Sequence, residues 1–97
     1  MSDDNFFALP AFKPAEALVQ LKRQLRDLKL TERGQRYELE GQAVVELSAD
    51  DTAIEARVVK RPARTPEWTV HRLAASTEVR RFLDTLKTQL ARWRSDE

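Results

Sequence analysis

A chain of 97 residues suits one domain and hardly two. It is 41% hydrophobic and 34% charged, carries a net charge of +1 and has no cysteine, which excludes a disulfide framework and thiolate chemistry. No apolar run approaches the roughly 20 residues that span a bilayer, and no basic stretch leading into an apolar one reads as a signal peptide, so a cytoplasmic protein without membrane contact is expected.

The near-neutral total hides an asymmetry. Residues 1–59 hold 8 Lys/Arg against 11 Asp/Glu, and residues 60–97 hold 9 against 5. The C-terminal part is modestly basic.

Residues 1–13 read as an extended aromatic arm. Phe6, Phe7, Leu9 and Phe12 fall close together, and Pro10 and Pro14 oppose a helix there. Burying such rings contributes on the order of 1.5–3 kcal/mol each. The arm either lines an open edge of the core or docks on a partner, and Phe6 and Phe7 are the candidate protein-contact residues.

A helix is expected over 14–33. Pro14 suits its first turn, Glu16 meets the helix dipole, and Leu18, Leu21, Leu25 and Leu28 make one apolar stripe. Gly34 is expected to end it.

Residues 35–73 then read as a four-stranded antiparallel meander, because apolar residues alternate with polar ones. The expected inward positions are Tyr37 and Leu39, then Ala43, Val45 and Leu47, then Ile54, Ala56 and Val58, then Trp68 and Val70. Parity sets the turns, since a one-residue slip turns every buried side chain outward. It asks for an odd first loop, Leu39-Glu40-Gly41, and an even second, Ala49-Asp50-Asp51-Thr52. The third loop, around Arg61 to Thr65 with Pro62 and Pro66 nearby, is expected to be odd.

A second helix is expected over 77–94, capped by Ser76, with Val79, Phe82, Leu83, Leu86, Leu90 and Trp93 as its stripe. One apolar stripe per helix and one apolar sheet face imply an α+β two-layer sandwich, α-β-β-β-β-α, with both helices on one face. In element order the chain resembles the double-stranded-RNA-binding domain, which has helix, three strands and helix. The fourth strand and the lysine-free Ser76-Thr77-Glu78-Val79 depart from that pattern, and no family is assigned on it.

No catalytic constellation, metal motif or phosphate loop is visible. His71, the single histidine, is expected on the wet face opposite Glu55, where no nucleophile accompanies it. Asp50-Asp51 reads as turn chemistry, because calcium needs more oxygens from a longer loop. No cofactor and no metal are expected.

The basic residues form three sets. Lys22, Arg26 and Lys29 (continued by Arg33) flank the first leucine stripe, Arg80, Lys87 and Arg94 repeat along the second helix, and Lys60, Arg61 and Arg64 cluster at the third turn. Such spacing can follow a phosphate backbone. It also serves to keep cationic heads in water above apolar surface. The chain therefore reads first as a small non-enzymatic domain working through protein contacts, with the arm and the sheet edges as its surfaces. A nucleic-acid-binding domain using the basic stripes is the alternative.

Overall fold

The structure, a computed structural model, describes residues 12–95, so Phe6 and Phe7 lie outside the described residues. It has the expected α+β architecture, with two helices on one face of an antiparallel sheet that runs in simple sequence order. The elements are α1 (Pro14–Asp27), β1 (Thr31–Arg33), β2 (Arg36–Leu39), β3 (Gln42–Ala49), β4 (Ile54–Val59), β5 (Trp68–Leu73) and α2 (Ser76–Ser95).

The sheet has five strands. The additional one, β1, is cut from the stretch expected to be helix. Helix α1 stops at Asp27 because Lys29 turns left-handed, with φ 69°. The Leu30 N–H then bonds the Leu25 carbonyl and the Lys29 N–H the Arg26 carbonyl, and the leucines at both ends of the motif are buried. This is the Schellman pattern, built here without glycine. Strand β1 is exposed at all three residues, so it has no alternation to betray it.

Gly34, with φ 62°, opens the two-residue β1–β2 turn instead of ending the helix. The next hairpin also has a two-residue turn, Glu40-Gly41, with φ 53° and 85° as in type I′ turns. Parity had asked for an odd loop. The odd residue is present, but as a bulge: Tyr37 pairs with Val45 while Glu38 pairs with Ala43, leaving Val44 between them. Val44 and Val45 are both fully buried as a result.

The third connection departs further. It spans eight residues, 60–67, and is closed by a Lys60 N–H to Glu67 carbonyl bond of 2.9 Å. Being even, it reverses the expected faces of β5. Thr69, His71 and Leu73 pair with Val58, Ala56 and Ile54 and so face the helices, while Val70 faces out at 56% exposure. Trp68 pairs with Val59 on the outer face. Val59 is nonetheless 1% exposed, and its pair Trp68 and the loop residues Pro62, Ala63 and Pro66 are half-buried.

Between the layers, Leu21 and Leu25 of α1 and Phe82, Leu83, Leu86 and Leu90 of α2 meet Tyr37, Val45, Leu47, Ile54, Ala56 and Val58 of the sheet in one buried cluster. The helices run side by side in the same direction: Phe12 and Ser76 share one end of the cleft between them, and Arg94 donates to the Leu28 carbonyl at 2.6 Å at the other. Phe12 and Ala17, at the positions before the cap and four into the helix, line that cleft together as a hydrophobic staple does.

Helix α2 is capped one residue earlier than expected. The Ala75 carbonyl accepts the Val79 N–H at 3.1 Å, and the Glu78 carboxylate reaches back to the Ala74 N–H at 2.7 Å. Ser76 is therefore the first helical residue, and the Glu78 carboxylate ties back the N–H one residue ahead of the Ala75 cap.

Candidate functional site

The two ends of the sheet are unequal. Strand β1 is three residues long and carries Glu32 and Arg33, which deters pairing with another chain. Strand β5 at the other end is six residues long, with no proline or lysine. Its backbone directions follow from the closing bond of its hairpin. Lys60 and Glu67 form a hydrogen-bonded pair, and the antiparallel register continues unbroken from Val59–Trp68 to Ile54–Leu73. Alternation then turns the N–H and C=O groups of Thr69, His71 and Leu73 toward β4. Those of Trp68, Val70 and Arg72 point outward from the sheet edge.

Alongside this edge lies a groove of about 630 Å³ between β5 and α2. Val58, Leu73, Phe82 and Leu86 give it apolar surface, and Lys60, Arg72, Glu78, Arg81 and Gln89 give it polar surface. His71 stands in it, half-buried, with its ring 5.6 Å from that of Phe82 and tilted by 58°. The expected placement of His71 on the wet face opposite Glu55 is thus corrected. It pairs with Ala56, and Arg72 is the residue opposite Glu55. Trp68 and Val70 are not the inward pair: Leu73, apolar and of opposite parity, marks the inward set in the sequence.

The outer face of the sheet is filled with ion pairs. Arg36 bonds Glu46 at 2.7 Å, Arg57 bonds Glu55 at 3.0 Å, and Arg33 bonds Glu38 at 2.9 Å. Exposed pairs of this kind are worth about 0–1 kcal/mol each, and their main effect is to keep the face wet.

Asp50 is occupied with its turn. Its Oδ1 accepts from the Thr52 N–H, the Thr52 hydroxyl and the Ala53 N–H at 2.8–2.9 Å. Those bonds, the Thr52 backbone N–H first, hold its carboxyl down at about 2. Among the described residues no group of three His, Cys, Asp or Glu is placed to hold a metal.

The nine basic candidates do not form one surface. Arg26 pairs with Glu32 at 3.4 Å, Lys60 with Glu67 at 3.8 Å, and Arg94 holds the Leu28 carbonyl. Lys29 makes the left-handed stop of α1, and Lys22 is half-buried. Arg61 and Arg64 are exposed on the 60–67 loop, where Arg64 lies near Arg36, Glu38 and Trp68. Arg80 and Lys87 both line the interhelical cleft, two turns of α2 apart, with Asp84 between them.

Comparison with protein-family models, curated proteins and solved structures found no match to this chain. No helix among the described residues is long and apolar enough to cross a membrane.

Proposed function

We propose that this is a non-enzymatic, cytoplasmic protein-interaction domain that takes an extended segment along β5. The carrying observation is the coincidence of a six-residue, proline-free edge strand with an apolar-floored groove beside it. Outward backbone groups at Val70 and Arg72 supply the ladder, and the groove selects alternate side chains, which is how strand addition combines affinity with specificity. The Glu78 carboxylate at the groove's end is spent on the Ala74 N–H.

A displayed peptide library selected on the domain tests this. It should return extended sequences with apolar residues at every second position, and their binding should disappear on Val70→Pro, which removes one outward N–H. Selected peptides that bind this variant as well as the parent chain would refute the edge-strand reading.

The presence of Arg80 and Lys87 along one cleft favours a second reading, nucleic-acid binding between the helices. It requires binding that weakens steeply with salt and is lost on Arg80→Glu with Lys87→Glu. An oligonucleotide titration at low salt that shows no binding disposes of it.

A further inference from the structure

The groove beside β5 is unevenly charged, and the excess bears on what it takes. We infer that the segment added to β5 is acidic, with a carboxylate at the groove-facing position beside His71 that pairs with Arg81. This rests on the edge-strand reading and adds the chemistry of the partner.

The first argument is charge. Lys60, Arg72 and Arg81 line the groove against one carboxylate, Glu78, which is turned back on the Ala74 N–H. Lys60 and Arg72 are already engaged. Lys60 pairs with Glu67 at 3.8 Å, and Arg72 bonds Asp50 at 3.4 Å and the Thr52 hydroxyl at 2.6 Å. Arg81 is exposed on the helix wall and has no ion pair among the described residues. A groove lined in this way repels a basic segment and leaves one guanidinium to be satisfied. Its floor of Val58, Leu73, Phe82 and Leu86 is apolar and takes water from whatever binds. A carboxylate entering there requires a cationic partner, and it gains more from one than a fully exposed pair does.

The second argument is register. On a strand added to β5, the side chains opposite Thr69, His71 and Leu73 face the helix layer and recur about every 6.7 Å. Helix α2 lines the same groove with Arg81, Thr85 and Gln89, which its rise sets about 6 Å apart. The two periods nearly match. The Phe82 ring stands 5.6 Å from that of His71, so Arg81, one residue earlier, lies at the level of His71. Thr85 is a turn further toward the Thr69 end. The position opposite His71 therefore faces Arg81, and the positions opposite Leu73 and Thr69 cover the apolar floor. The segment is read as apolar-x-acid-x-apolar, with the acid taking one step of the apolar alternation. That pattern is the same in either strand direction.

Charge reversal on peptides selected from the displayed library tests this. Peptides selected on the parent domain should carry Asp or Glu between two alternate apolar positions. Replacing that acid by lysine in a synthetic peptide should weaken binding at least about tenfold. The Arg81→Glu domain should prefer the lysine peptide, and Arg81→Gln should bind both alike. Arg23→Glu makes the same change of net charge at an exposed position on α1 and should leave the preference for acid intact. Selected peptides with no acid enrichment would overturn the inference, and so would a preference for acid that survives Arg81→Glu. Neutral peptides whose binding still disappears on Val70→Pro would leave the edge-strand reading standing and remove this one alone. Acidic peptides that bind Val70→Pro as well as the parent would refute the edge-strand reading, and this inference with it.

Discussion

Lys29 carries a backbone conformation that a side chain resists. A left-handed residue with a Cβ costs roughly 1–2 kcal/mol, and only part of that is offset by the lower unfolded-state entropy of lysine relative to glycine. Lys29→Gly should therefore stabilise the domain by about 0.5–1 kcal/mol, read as a higher urea midpoint at unchanged slope. A lower midpoint would mean that the lysine side chain contributes more than its strain costs. Tyr37 is the other residue with a consequence of its own. Burial first, and then the Glu32 carboxylate 3.2 Å from its hydroxyl, push the phenol up to about 12. Its folded value lies above the unfolded one of about 10, so the folded state holds this proton more tightly. The contribution is full below pH 10 and is lost as the pH rises toward 12. Alkaline denaturation followed by circular dichroism should show that decline, and Tyr37→Phe should flatten it.

Among the elements, β5 is the most informative. Its inward and outward amides alternate, so proline substitutions at adjacent positions should have opposite outcomes. His71→Pro removes a bond to β4 and should cost about 2–3 kcal/mol. Val70→Pro removes only an outward N–H and should cost less than about 1 kcal/mol, since edge strands tolerate proline there. Thermal melts of the two variants decide the register, and similar losses in both would contradict the alternation. The eight-residue connection before β5 explains why the strand faces as it does. Trp68, paired with Val59, is half-buried there and still packs against the margin of the core cluster. An aromatic residue at the start of a strand is thus a poor guide to its inward face when the length of the preceding loop sets the parity.

At the scale of the whole molecule, stability rests on one interlayer cluster in which Leu25 is completely buried between α1 and the sheet. Leu25→Ala should cost about 2–5 kcal/mol, measured by chemical denaturation. A cost below about 1 kcal/mol would mean that the layers do not meet there. The sequence by itself determined the two-layer architecture, the helix stripes, the inward faces of β2 and β4, and that of β3 at Val45 and Leu47; Ala43, expected inward, lies past the bulge opposite Glu38 on the outer face. The architecture, the stripes and those faces follow from local periodicity, which each segment carries in its own residues. Parity even required the odd residue of the first meander hairpin, which lies in the bulge at Val44 and not in the turn. Only the tertiary structure decided β1, the face of β5 and the groove beside it. Strand β1 is exposed throughout and leaves no periodic trace. The face of β5 depends on how a long loop closes, and the groove forms where α2 runs past the strand at the end of the sheet of described residues. Contacts between segments far apart in the chain set all three, and no local pattern encodes them.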